Sequence, residues 1–132
     1  MSKEALLGFS ENEDTTTYLG IIYNSLGIAY SKLNLPDSSE YFHRKALEER
    51  IQTKDFRYLP VSLIKVADIE AAKGNKSESK SLYDRAFFLA DSTGNRQEEV
   101  MALLAIGKWK MNFEKNFNDA ESDYLKAESI AK

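Results

Sequence analysis

The chain has 132 residues, of which 42% are hydrophobic and 30% are charged, and its net charge is −3 at pH 7. This balance suits one domain with a hydrophobic core and gives no reason to expect a nucleic-acid partner. The absence of cysteine excludes disulfide bonds, zinc–thiolate sites and thiol catalysis. No apolar run approaches the roughly 20 residues that span a bilayer. The opening MSKEALLGFSENED also lacks the features of a signal peptide, so we expect no membrane insertion.

Apolar residues recur at spacings of three and four, which is the helical period, and strand-like alternation is scarce. The sequence therefore predicts an all-α protein. In chain order, the predicted helices cover 15–33, 37–53, 57–73, 77–92, 96–111 and 118–131. Residues 2–10 resemble the end of one further helix, because EAL at 4–6 stands 41 positions before KAL at 45–47.

Capping signals support these boundaries. Three predicted helix starts carry Asp or Asn followed three positions later by Glu, which resembles a capping box. These pairs are Asp37 and Glu40, Asn95 and Glu98, and Asn118 and Glu121. Pro36 precedes the second helix, where it helps to end the first. Gly74 follows the third helix, at a position that favours a residue tolerant of positive φ.

Small residues recur at a fixed spacing within the helical pattern. Gly27, Ala67 and Gly107 stand 40 residues apart, each after an apolar residue. A second series lies 19 or 20 residues further on, at Ala46, Ala86 and Ala127. The chain is therefore predicted to repeat one helix–turn–helix unit three times, with the small residues where the two helices of a unit cross closely.

The first unit contains Tyr23-x₂-Leu26-Gly27-x₂-Tyr30, which resembles the first half of the tetratricopeptide repeat, W-x₂-L-G-x₂-Y. The second half of that motif, A-x₃-F, is matched by Ser79 with Tyr83 and by Ala120 with Tyr124. The unit of about 40 residues is longer than the family's roughly 34. The family's terminal proline is absent. The third unit has Lys110 in place of an aromatic residue, and one extra residue in its turn.

The resemblance implies a right-handed α-α superhelix, a single domain over 1–132 with repeats at approximately 15–54, 55–94 and 95–132. Residues 1–12 are then the remnant of a preceding repeat, and we expect the chain to be a fragment of a longer array. The alternative is a small natural protein of three repeats with a short N-terminal helix.

The resemblance also implies a concave groove lined by the first helix of each repeat, where a peptide or helix of another protein docks. The positions opposite the buried stripe give the candidate partner-binding residues, which are Ile21, Asn24, Ile28, Val61, Ile64, Lys65, Asp68, Met101, Leu104, Lys108 and Met111. This mixture of apolar and polar side chains suits an amphipathic helix or an apolar peptide. Two alternatives stay open: the apolar members are partly buried and bind nothing, and Asp68 simply pairs with Lys108.

The sequence predicts no catalytic, cofactor or metal site. His43 is the single histidine, which excludes metal motifs with two histidines. We expect it to be a packing residue on the inner side of the second helix. Trp109 is expected to be buried against the preceding unit, with a partner contact as the alternative. The aromatic residues expected in the core are Tyr41, Phe42, Tyr83, Phe87, Phe88 and Tyr124.

These expectations favour a non-catalytic scaffold for protein–protein interaction over an enzyme. The alternative is the sensor or regulatory segment of a bacterial signalling protein, attached to a histidine kinase or a transcriptional regulator. Another protein is the expected partner, and self-association through the ends of the array stays open. A cytoplasmic location is expected, with an extracytoplasmic sensor segment as the alternative.

Overall fold

The computed structural model describes residues 13–132, with side chains from residue 17 onward, so the predicted remnant over 1–12 lies outside the described residues. Within the described range the chain forms six α-helices, one short π-helical turn and no strand. The helices are α1 (Glu13–Lys32), α2 (Pro36–Gln52), α3 (Leu59–Ala72), α4 (Lys76–Thr93), α5 (Arg96–Trp109) and α6 (Phe117–Ala131), and the π-helical turn covers Lys110–Glu114. The all-α prediction is confirmed, and the predicted bounds lie within one or two residues of these.

The first four turns between helices share one backbone arrangement. In each, a residue at positive φ ends the helix, and the next amide donates to the carbonyl five positions earlier, as in a Schellman motif. The amide and carbonyl residues are Leu35 and Tyr30, Asp55 and Arg50, Asn75 and Glu70, and Asn95 and Ala90. The turns therefore recur every 20 residues. Gly74 has a φ of 83°, which confirms the prediction for that position.

The hydrogen bond that closes the fifth turn encloses one residue more than the corresponding bond of the other four turns. The amide of Asn116 donates to the carbonyl of Lys110 at 3.2 Å, and Lys115 is the residue at positive φ. The extra residue widens the helix end into the π-helical turn. The helix predicted to run to residue 111 therefore ends as an α-helix at Trp109.

Of the three predicted capping residues, Asn95 is confirmed as a cap, although its own amide donates to the carbonyl of Ala90 and not to Glu98. Asn95 accepts a hydrogen bond from the amide of Glu98, whereas the other two predicted caps are wrong. Asp37 lies inside the first turn of α2, because the preceding turn ends one residue before Pro36. Asn116 caps α6 in place of Asn118, because the residue that closes the fifth turn also begins the next helix.

The helices pack in pairs that are adjacent in sequence, and the chain divides into two compact units within α3. The first unit ends at Ser62, and the second covers Leu63–Lys132. In the first unit α1 packs along α2, and in the second α5 packs against both α4 and α6. None of the helices in the described part of the chain is long and apolar enough to cross a membrane.

A glycine of one helix meets an aromatic ring of the next where α1 crosses α2 and where α5 crosses α6. A Cβ atom at Gly27 would lie 2.7 Å from the imidazole of His43, and one at Gly107 would lie 2.7 Å from the ring of Tyr124. His43 is therefore a packing residue, as predicted. The sequence pattern paired the glycines with Ala46 and Ala127, which are buried one turn further along the same helices.

Candidate functional site

A groove of about 640 Å³ opens in the second unit between α3 and α5. Its walls contain six of the predicted partner-binding residues: Ile64, Lys65 and Asp68 from α3, and Met101, Leu104 and Lys108 from α5. These side chains meet because α3 and α5 present residues three and four positions apart on one helical face. We call this cavity the second-unit groove.

The apolar lining of the second-unit groove is unequally available. Leu104 is 45% exposed and Met101 is half-buried, so both can contact a bound molecule. Ile64 is only 5% exposed and belongs to the core beneath the groove. The burial part of the alternative therefore agrees with Ile64 and with the half-buried Ile28, and disagrees with the exposed Leu104.

Asp68 carries the acidic group of the groove. The hydroxyl of Tyr83 on α4 donates to its carboxylate at 2.5 Å. Desolvation by the surrounding atoms raises the pKa of Asp68, although the Tyr83 hydrogen bond and the charges of Lys65 and Lys108 act to lower it. Burial and the neighbouring carboxylate raise the pKa of Tyr83 as well, so this phenol stays protonated. The close partner of Asp68 is thus Tyr83, and Lys108 acts on it only at longer range.

Lys65 and Lys108 bring positive charge to the groove from two different helices. Neither forms a salt bridge with a carboxylate among the described residues, and Lys108 is exposed. The described rim of the groove therefore presents two ammonium groups around one exposed carboxylate, whose pKa is raised by the desolvation that neighbouring atoms cause.

The end of the groove is built from aromatic residues of α5 and the π-helical turn. Trp109 is 4% exposed, and its indole N–H donates to the hydroxyl of Ser79 on α4 at 3.0 Å. The ring of Phe113 lies 5.4 Å from the indole, centroid to centroid, and lines the groove. The prediction that Trp109 is buried against the preceding helix pair is confirmed.

The predicted site residue Met111 does not line the groove. Its sulfur accepts a hydrogen bond from the hydroxyl of Tyr124 on α6 at 3.7 Å. Asn112 and Phe113 line the groove in its place. Asn112 and Phe113 follow Lys108 and Trp109 by four positions, so the regular helical spacing of the lining continues to the end of the groove.

The remaining predicted site residues belong to the first unit. Ile21, Asn24, Ile28 and Val61 are all half-buried. The side-chain oxygen of Asn24 is buried and accepts no hydrogen bond in the described part of the chain. A buried acceptor without a donor costs free energy, so a hydrogen-bond donor that reached the Asn24 oxygen would be stabilising.

Two residues predicted for the core are exposed. Tyr41 on α2 and Phe88 on α4 lie largely in solvent, whereas Tyr83 is buried. Phe42 is half-buried and packs its ring 5.5 Å from that of Tyr30. Helical spacing marked both faces of these helices as aromatic and could not tell which face is covered.

The described residues contain no group of three or more His, Asp or Glu side chains able to hold a metal ion. Comparison of the chain with known protein families, with curated proteins and with solved structures finds no match in any of the three. The function is therefore argued from the geometry of the groove.

Proposed function

We propose that this chain is a non-catalytic scaffold of the tetratricopeptide type that binds another protein through the second-unit groove. The repeat assignment is supported by four Schellman turns spaced 20 residues apart, since a recurring backbone turn is the mark of a solenoid built from one helix–turn–helix unit. In this proposal the repeats stack into a right-handed superhelix, with α1, α3 and α5 as the lining helices.

The second-unit groove carries the functional part of the proposal. It joins an exposed leucine to a half-buried methionine on the face of α5 that is turned toward α3. A strip of this kind suits the apolar face of an amphipathic helix, whose residues repeat at three and four positions. The apolar contacts supply binding energy, and the polar rim fixes the register.

The charges of the rim define the chemistry of the bound helix. Lys65 belongs to the α3 wall of the groove and Lys108 to the α5 wall. Neither forms a salt bridge with a described carboxylate. A partner helix with an acidic side chain beside its apolar face gives both ammonium groups an opposite charge. The proposed partner is therefore an amphipathic helix of another protein that carries an acidic residue next to its apolar stripe.

A peptide titration tests this proposal. Synthetic amphipathic helices with Glu, Ala or Lys beside the apolar stripe are added to the chain, and binding is followed by the fluorescence of Trp109, the single tryptophan. We expect the Glu peptide to bind most tightly and the Lys peptide most weakly. Equal affinity for all three peptides, or no binding by any of them, contradicts the proposal.

A matched pair of variants locates the binding surface. Leu104→Glu places a carboxylate in the groove, whereas Leu125→Glu changes a leucine of α6 that is 57% exposed and lies outside the groove lining. We expect Leu104→Glu to weaken peptide binding at least roughly tenfold, which corresponds to about 1.4 kcal/mol. Leu125→Glu should leave it unchanged. The reverse result places binding on the α6 face.

A further inference from the structure

Among the five described turns, the one that ends in the π-helical segment is closed by a hydrogen bond that encloses an extra residue. The other turns place four residues between the carbonyl and the amide of the Schellman hydrogen bond, and this turn places five between Lys110 and Asn116. Short π-helical segments of this kind arise from a single inserted residue and are frequent at functional sites. The extra residue thus accounts for the π-helical geometry, but not for the position of this turn at the end of the groove.

The two walls of the groove end differently. On the α3 side the end is lined by Ala71 and Ala72, which have small side chains. On the α5 side the lining continues through Asn112 and Phe113 of the π-helical turn, whereas Met111 contacts Tyr124. The π-helical turn thus contributes one aromatic ring and one amide to the end of an apolar strip.

Contacts on both sides hold the turn in place. The Lys110 ammonium lies 2.8 Å from the carboxylate of Asp123 on α6, and the Glu114 carboxylate lies 3.9 Å from the ammonium of Lys76 on α4. Phe113 packs on the indole of Trp109, which is itself hydrogen-bonded to α4. The Trp109 indole and the Lys110–Asp123 pair therefore support the position of Phe113 at this end of the groove.

We infer that the π-helical turn determines where a bound helix ends in the groove, with Phe113 contacting its last apolar residue and Asn112 binding its free terminal backbone groups. This inference rests on the proposed function. An Asn amide has both a donor and an acceptor, and the first and last turns of a helix carry amides and carbonyls without intrahelical partners. The ligand class is therefore an amphipathic helix whose end lies at the turn, and a helix that continues past Phe113 should clash with the ring.

Removing the inserted residue tests the inference. Deletion of Asn112 restores the spacing of the other four turns, so we expect unchanged helix content by circular dichroism and an equal or higher Tm. Two peptides serve as probes: the Glu-bearing amphipathic helix, and the same helix extended by one turn at the end that meets Phe113. The chain should bind the short peptide roughly tenfold more tightly than the extended one. The deletion variant should bind both equally.

Point variants keep the test decisive if the deletion variant fails to fold. Phe113→Ala should remove the preference for the short peptide, and Asn112→Ala should weaken the short peptide alone. Lys115→Gly is the matched control, because it changes the same turn at a residue with positive φ outside the groove lining, and it should keep the preference.

The outcomes separate the two proposals. If Leu104→Glu abolishes binding but both peptides bind the native chain and Phe113→Ala alike, the groove binds a helix and the inference about the turn is wrong. If Leu104→Glu changes nothing, the proposed function and the inference fail together.

Discussion

The α1–α2 pair and the α5–α6 pair place the same backbone crossing in different chemical surroundings. In both pairs a glycine lies under an aromatic ring of the following helix, His43 over Gly27 and Tyr124 over Gly107. In the first pair the Ser39 hydroxyl also donates to the carbonyl of Gly27 at 2.7 Å. The corresponding position in the last pair is a buried alanine, which has no donor.

The contacts beside the crossing differ more strongly. Tyr30 stacks on Phe42 at 5.5 Å in the first pair, and the corresponding residues of the last pair, Lys110 and Asp123, form an ion pair at 2.8 Å. The close approach of two helices thus fixes the glycine, since any Cβ there collides with a ring. The position beside the crossing is compatible with either an aromatic stack or an ion pair.

The largest effect is expected where the comparison finds no variation. Gly27→Ala should destabilise the fold by about 3 kcal/mol, because its Cβ would lie 2.7 Å from three atoms of the buried His43 ring. Chemical denaturation of Gly27→Ala, His43→Ala and the double variant checks this. In the His43→Ala background the cost of Gly27→Ala should largely disappear. An equal cost in both backgrounds would show that the ring does not require the glycine.

An intermediate effect is expected at the ion pair of the last helix pair. Lys110→Met removes the cation from the largely buried carboxylate of Asp123, whose side chain is 16% exposed, and should cost about 2 kcal/mol. The double variant Lys110→Tyr and Asp123→Phe copies the aromatic contact of the first pair. This double variant should regain most of the lost stability in thermal denaturation. If it is as unstable as Lys110→Met, the two contacts are not interchangeable.

The smallest effect concerns Asp68 in the groove. Desolvation by neighbouring atoms raises its pKa in the folded state, so the folded state retains this proton at pH values where the unfolded chain has lost it. The native chain therefore loses stability relative to Asp68→Asn as pH rises through this range. The Asn side chain still accepts the Tyr83 hydrogen bond. Because the open groove screens the charge, we expect Asp68→Asn to raise Tm by only on the order of one degree at about pH 7. This gain should vanish at about pH 3, where the carboxyl group is protonated in both states. A gain in Tm that grows toward acid pH would contradict a raised pKa of Asp68 in the folded state.

The sequence predicted the helices well because two independent signals coincide. Apolar periodicity gives the helical segments, and the 40-residue spacing of Gly27, Ala67 and Gly107 gives their order. Six predicted groove residues also share one cavity, since residues three and four positions apart on a regular helix point the same way. These predictions depend only on local geometry.

The predictions that failed depend on features with no periodic signal. Met111 lies three positions after Lys108, and this spacing does not reveal that its side chain contacts Tyr124 of α6. Asn118 was chosen as a cap by its match to a motif, whereas the cap is set by where the fifth turn closes. Phe88 has the spacing of a core residue but lies on an uncovered face. Which face is covered depends on neighbouring helices, which one helix's pattern does not encode.

Nuclear magnetic resonance titration shows whether the second-unit groove binds an amphipathic helix. Amide chemical shifts of the ¹⁵N-labelled chain are followed while the Glu-bearing amphipathic peptide is added. We expect the largest changes at Lys65, Leu104, Lys108 and Phe113, the groove residues from both walls and the π-helical turn. Changes confined to the exposed faces of α1 or α6, or no changes at saturating peptide, would contradict this expectation.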